Sequence, residues 1–207
     1  MLPLKPFYLI RHGESEANVA RITAGGQLDS PLTPLGRSQP RTLAPLLPQL
    51  EIQPRALYHS NMQRARDTAL ALNETWRLAP VELADLREHD MGDWDGLPWD
   101  DVFPHLENGH SPPGGESEAA FASRVKSALS DILAIAPAHP PVIVAHGGLF
   151  NAIGFMYSYA MSHVQNCHLH YFEPHPDHAL FPWRVFTFDI EGDRLVKRPA
   201  QFCWTLR

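Results

Sequence analysis

Cysteine is nearly missing from this sequence: its 207 residues hold two, Cys167 and Cys203. They form neither a CxxC pair nor a metal-ligand spacing, which excludes a disulfide scaffold and a cysteine-built metal centre. Two reduced, partly buried thiols are expected instead. Long apolar runs are missing as well. The apolar run near the N-terminus, residues 7–10, stops at Arg11 and is too short for a signal segment or a membrane span. A cytoplasmic address without membrane contact is therefore expected. Positive charge is scarce: the formal net charge is −6, whereas a nucleic-acid binder would show a basic face. Finally, the glycine pairs at 25–26, 114–115 and 147–148 never complete a GxGxxG after a strand, so a dinucleotide site is not indicated.

Apolar residues at 44% and charged residues at 19% describe a globular chain, long enough for one domain with a real core. The 20 prolines are about twice the usual share of roughly 5% and punctuate loops between periodic segments. Residues 7–10 read as a buried strand running into Arg11-His12-Gly13. Thr33-Pro34 opens a helix toward Leu50, with a kink or break expected from Pro40 and Pro45. A strand at 56–59 follows, then a helix capped by Ser60 or Asn61 and continuing through Trp76. A further strand is expected over 81–86 and loop over 90–115. Ser117 caps a helix whose Ala120, Phe121, Val125, Ala128, Leu129, Ile132 and Leu133 share one face. A β-branched strand at 142–145 ends at His146-Gly147-Gly148, a helix runs on to about Met161, and strands at 169–172 and 184–190 close the pattern.

Strands alternating with helices predict an α/β fold, a three-layer sandwich with a mainly parallel central sheet. One domain over 1–207 is expected, with a lid or loop insertion around 90–115. Ligands of such sheets bind beyond the carboxyl ends of the strands. Arg11-His12, Ser60 with Arg64, and His146 all fall at or just after strand ends and should converge on one edge.

Each group has a bland reading beside the chemical one. A rim histidine is usually a hydrogen-bonded surface residue, but Arg11 directly after a buried strand needs an anionic partner, and its guanidinium matches phosphate oxygens. Arg64 lies in the first turn of its helix, where free N–H groups and a cation make an anion site; alternatively Arg64 and Arg66 simply point into solvent. His146 can pack against His12 or donate to a phosphate oxygen, or be incidental to a glycine turn.

Together these segments resemble the histidine phosphatase (phosphoglycerate-mutase-like) superfamily. Arg11-His12-Gly13-Glu14 is similar to its signature and Leu32-Thr33-Pro34-Leu35-Gly36 to its LTxxG segment. Residues 60–69 resemble SxxxRAxxTA. Leu86-Arg87-Glu88 with Gly92, Trp94 and Gly96 resembles LxE…GxWxG, Pro113–Ser117 PGGES, and His146-Gly147-Gly148 the second-histidine motif. Six segments in the family's order span about residues 7 to 150.

The resemblance implies that His12 is the nucleophile, forming a phosphohistidine, and that it must be neutral with its tautomer fixed by its other nitrogen. Arg11, Arg64 and His146 would surround the phosphoryl oxygens, with Asn18, Ser15, Gly147 and Arg21 around the substrate. Glu88 would be the general acid, its pKa raised by phosphate and by Trp94; Asp90 and Asp93 are the alternatives. No metal and no cofactor are implied. His163, His168, His170, His175 and His178 match no defensible ligand spacing. The expected partner is a small-molecule phosphomonoester, with a homodimer left open.

Two activities share this kit, hydrolysis and mutase transfer. The family's mutases place arginines between the acid and PGGES. Here no Lys or Arg occurs from Glu88 to Ser123, while nine carboxylates do. Such a lid would repel a polyanion and admit a neutral, apolar or cationic leaving group, which favours the hydrolase. A phosphoglycerate-mutase-type phosphotransferase and a non-catalytic phosphate-binding module are the alternatives. Residues 167–183 would cover the sheet edge, line the pocket or form a dimer contact.

Overall fold

A computed structural model describes residues 1–135, 139–158, 164–177 and 181–200. Seven strands form one sheet in the order β3-β2-β4-β1-β5-β6-β7: β1 (Phe7–Arg11), β2 (Ala56–Ser60), β3 (Pro80–Leu83), β4 (Pro141–Ala145), β5 (Leu169–Pro174), β6 (Trp183–Glu191) and β7 (Arg194–Pro199). The first four pair in parallel. β5 joins β1 antiparallel, and β6 and β7 extend the meander. Since β6 reverses twice, five of the seven strands run one way, and the sheet is mainly parallel as expected.

Alternation of side chains along β1 divides the core. Phe7 and Leu9 face the layer of α5 (Glu118–Ile135) and α6 (Gly147–Met156). Tyr8 and Ile10 face the layer of α2 (Pro34–Leu43) and α3 (Gln63–Trp76). Helices on both faces make the three layers. β4, with all five residues buried, reads as an unbroken apolar run because both its faces are covered.

Several local expectations need adjustment. Thr33 caps α2 through Gly36 N–H at 2.9 Å, and Pro34 takes the first helical position. Pro40 stays inside the helix, and the break comes at Pro45, where a 3-10 segment (Ala44–Gln49) begins. α3 is capped by Met62 rather than Ser60 or Asn61. On α5 the inward face includes Ala122, while Ala120 is exposed. α6 ends at Met156, short of 161. The strand expected over 81–86 stops at Leu83 and tightens into a 3-10 turn (Ala84–Leu86).

Three elements were not expected. The stretch 90–115 contains α4 (Trp99–Glu107). β7 follows a hairpin at Gly192, whose φ of 62° suits a tight turn. A short α1 (Glu16–Ala20) also follows the His12 loop, its Ser15 and Asn18 forming a capping box. Cys167 is a buried free thiol; Cys203, His163 and His178 lie outside the described residues.

Candidate active site

Arg11 ends β1, Ser60 ends β2 and Ala145 ends β4, so the register of the parallel strands brings the loops beyond them to one edge. There a cleft of about 650 Å³ opens. Arg11, His12, Ser15, Asn18, Arg21, Arg64, Glu88 and Gly147 all line it. Of the catalytic and substrate-binding residues that the resemblance implies, His146 is the one that does not. It is fully buried, with its ring 5.2 Å from that of His12, so of its two expected roles the structure displays the packing one.

His12 is 3% exposed. Its Nδ1 lies 2.6 Å from the Gly13 carbonyl, and a carbonyl can only accept, so Nδ1 carries the proton and Nε2 keeps its lone pair. Burial first, then the charges of Arg64 and Arg11, hold the ring well below the ordinary histidine pKa, against the Gly13 hydrogen bond. The imidazole is neutral. His146 is likewise held down by burial and by Arg64, His12 and Arg11. Its Nε2 meets Ser60 Oγ at 2.9 Å, and the same oxygen accepts from Met62 N–H at 3.2 Å. Nδ1 of His146 is buried without a partner.

Arg64 is 1% exposed. Its guanidinium donates to the carbonyls of Leu28, Ala24 and Gly25 at 3.0, 3.0 and 3.3 Å, and Asp29 stands 3.5 Å away. The solvent-facing alternative thus holds for Arg66, exposed beside Asp67, and not for Arg64. The helix N-terminus is not free, however. Gln63 N–H donates to Asp29 Oδ2 at 2.7 Å, so a carboxylate of the chain itself already answers that dipole. Arg11 donates to Val164 O at 2.7 Å while its Nε is buried without a partner. Burial lowers the pKa of both guanidiniums, and Glu88 opposes the shift in each.

Of the three candidate acids, Glu88 alone lines the cleft. Its Oε1 accepts from His89 N–H at 2.8 Å and its Oε2 from Gly148 N–H at 3.1 Å. Asp90 is engaged with Gln27 and Gly92 N–H. Trp94 does not line the cleft but stacks on His105, and the apolar rings in the cleft are those of Trp99, Phe103, Phe121 and Phe155. Gly148 serves close approach rather than a sharp turn: a Cβ there would stand 1.9 Å from Glu88 Oε1.

The backbone around Glu88 meets other glycines as closely. A Cβ on Gly26 would lie 2.9 Å from Glu88 O, one on Gly25 2.5 Å from His89 O, and one on Gly115 2.4 Å from Asp90 O.

Sequence reasoning missed the residues that hold these groups. Arg124 on α5 forms a two-pronged pair with Glu116 at 2.8 and 2.6 Å, and donates to the carbonyls of Asp85, Arg87 and Glu88 at 2.9, 3.1 and 3.2 Å. Burial works against the Glu116 carboxylate, but Arg124 and the Asp90 N–H outweigh it and keep its pKa below the ordinary value. Thr68 accepts Gly13 N–H at 2.9 Å and donates to Arg64 O at 2.7 Å, tying the two motifs together. Pro40 has no N–H to offer the Gly36 carbonyl, which instead lies 2.3 Å from where a Cβ on Gly13 would be. Asn166 donates to His12 O and Asn18 Oδ1 at 3.0 and 3.1 Å, and Cys167 N–H to Arg11 O at 2.9 Å. The segment after α6 therefore braces the His12 loop. With its oxygen engaged, Asn18 has its amide nitrogen left for the cleft. Arg21 is tied to Asp100 at 2.9 Å and lies over the Trp99 ring.

Among the described residues no group of three His, Cys, Asp or Glu could hold a metal ion. His168 pairs with Asp189, and His170 bonds the His168 carbonyl and packs on Phe150. No helix among the described residues is long and apolar enough to cross a membrane.

A neutral buried imidazole beside two buried guanidiniums suits metal-independent chemistry on the phosphoryl group of a phosphate monoester. Residues 7–180 match the family model described as "Histidine phosphatase superfamily (branch 1)", and the chain belongs to that family. A metal-independent phosphoserine phosphatase of Arabidopsis thaliana is 35% identical, over 70% of this chain and 65% of that one. A probable phosphoglycerate mutase of Serratia proteamaculans is 30% identical, over 89% of this chain and 90% of that one. The structure of a mycobacterial glucosyl-3-phosphoglycerate phosphatase complexed with VO3 superimposes with a TM-score of 0.72 at 28% identity, covering 90% of this chain and 98% of that one.

Proposed function

We propose that this phosphomonoester hydrolase works through a phosphohistidine on His12. Nε2 attacks phosphorus in line, forming the P–N bond as the ester P–O bond breaks. Glu88, protonated at that moment, delivers its proton to the departing alkoxide. Water then attacks the phosphoryl group, the P–N bond breaks, and the Glu88 carboxylate takes up the proton of the water. Inorganic phosphate leaves, with His12 neutral and Glu88 protonated again. Arg11 and Arg64 hold the equatorial oxygens throughout, which is most of what phosphoryl transfer asks of a protein. His146 supports the His12 ring and lends its Nδ1 to a phosphoryl oxygen when the group is transferred. Residues 90–115 act as the lid. The buried reduced thiol of Cys167 suits a cytoplasmic setting.

The observation that carries this reading is the state of His12: its proton is pinned on Nδ1, its Nε2 is free, and burial together with two buried cations holds it neutral. The test is hydrolysis of p-nitrophenyl phosphate across pH 5 to 8 with EDTA present, for wild type and His12→Ala. Turnover that survives EDTA and disappears in the variant is expected, together with an acid-labile phosphoenzyme in the wild type alone. Full activity of His12→Ala would overturn the reading.

The mutase relative raises phosphotransfer between positions of a phosphosugar acid as the second reading. Such a substrate needs cations for its carboxylate. Beyond Arg11 and Arg64, the Lys and Arg side chains lining the cleft come down to Arg21, which is already paired with Asp100. Hydrolysis is the better fit.

A further inference from the structure

The cleft extends well past the phosphate end, and its far walls are built with helical regularity. Beyond Gly147 at its start, α6 lines the cleft with Gly148, Asn151, Ala152 and Phe155, spaced i, i+3, i+4 and i+7, hence on one face. On α4 they include Trp99, Phe103 and Leu106, again i, i+4 and i+7. Trp99 and Phe103 are stacked at 5.7 Å, and Val102, off that stripe, is the residue of α4 that goes into the core. Phe103 and Phe155 remain 45% and 40% exposed. Two helices thus turn apolar stripes toward the cleft, and the exposed rings mark a binding surface. Gly148 bonds the Glu88 carboxylate, and Phe155 lies seven residues farther along the helix, about 10 Å at ~1.5 Å per residue. Polar contact along that path is offered by Asn151. Among the described residues, the ionised side chains lining this outer part are Glu107, Glu118 and the Asp100-paired Arg21.

Resting on the phosphohistidine reading above, we infer that this outer trough is a leaving-group subsite for an uncharged alcohol with a flat apolar body about 10 Å long, seated between the α4 and α6 stripes. The substrate class is an arylalkyl-type phosphate monoester. A second carboxylate or phosphate on the alcohol is disfavoured, since it would meet two carboxylates and would have to displace Asp100 from Arg21.

The test compares three primary-alkyl esters with similar intrinsic leaving groups: 2-(1-naphthyl)ethyl phosphate, ethyl phosphate and 3-phosphoglycerate. kcat/KM for the naphthyl ester should exceed that of either other ester by about tenfold or more, as burial of one ring system allows. In Phe103→Ala and Phe155→Ala the ratio of naphthyl to ethyl ester should fall several-fold, chiefly through KM. Equal kcat/KM for all three, or a preference for 3-phosphoglycerate, would overturn the subsite while leaving the phosphatase reading standing. If p-nitrophenyl phosphate and all three esters were left intact by folded enzyme, the phosphatase reading itself would fall.

Discussion

The floor of the cleft and its outer wall are built on opposite terms. At the floor and just beneath it His12, Ser60, Arg64, Thr68 and His146 are buried, and each takes part in a web of hydrogen bonds to backbone or to one another. The outer wall is α4, anchored by buried Val102, by Trp94 stacked on His105 and by Trp99 N–H donating to Arg21 O at 2.9 Å, while its cleft side carries an Arg21–Asp100 pair whose side chains are 62% and 81% exposed. Exposed pairs of this kind stabilise little. The floor is therefore fixed by the fold before any substrate arrives, while the cleft-facing stripe of the wall is free to differ in composition. On the proposed reading, chemistry belongs to the first region and choice of alcohol to the second.

The contrast is broken most severely at Arg64. Arg64→Ala should lower kcat/KM about 10²–10³-fold, by roughly the same factor for every ester, because it removes a donor to the shared phosphoryl group. A loss confined to some esters would mean that the floor also reads the alcohol. Arg124→Ala should come next. It leaves the cleft lining intact but loosens the backbone that carries Glu88, so alkyl phosphates should lose about 10–10²-fold. p-Nitrophenyl phosphate, whose leaving group hardly needs a proton, should lose far less. Glu88→Gln provides the reference: an Arg124→Ala pattern that did not follow it would make Arg124 a stability residue only.

A stability measurement sharpens the buried side of the comparison. Burial, with help from His168, pushes His170 down to about 3 from an ordinary 6.5. Between those values the unfolded chain binds a proton that the folded chain does not, so stability falls as pH falls through this window. His12 and His146 are shifted in the same direction and add to the slope. Urea midpoints should drop from pH 7 to pH 4, and His170→Leu should flatten part of that drop. Smallest of all is Asp100→Asn on the wall. Releasing Arg21 should raise kcat/KM for 3-phosphoglycerate about two- to threefold at low salt, with the gain vanishing as salt is added.

His12, Ser60 and His146 were legible in the sequence because each stands at or just after the end of a short apolar run. Such runs mark strand ends, and strand ends of a parallel sheet share an edge. What holds the floor was not legible. Asp29 reaches α3, and Arg124 reaches carbonyls at 85, 87 and 88, across separations that no periodicity encodes. α4 was hidden for another reason. Its nine residues include Pro104, and its Trp99, Phe103 and Leu106 stripe faces the cleft instead of the core, so the stretch looked like loop. β7 was lost because it is an edge strand with little buried surface, although the Gly192 turn before it was a fair signal. At Gly148 the site needs missing bulk, not unusual torsion.

The three glycine pairs that failed to spell a dinucleotide site meet again around residues 88–92. Gly25-Gly26, Gly114-Gly115 and Gly147-Gly148 each place a residue against that one segment: Gly26 and Gly115 press on its main chain and Gly148 on the Glu88 carboxylate, with no room for a Cβ at any of the three. A map of mutational tolerance would show these three distant positions as a single forbidden block. A lineage shifting to a new alcohol has no room to move the acid, and must rewrite the α4 stripe instead. Divergence among relatives is then expected to be steep along Trp99, Phe103 and Leu106 and nearly flat at Gly26, Gly115 and Gly148.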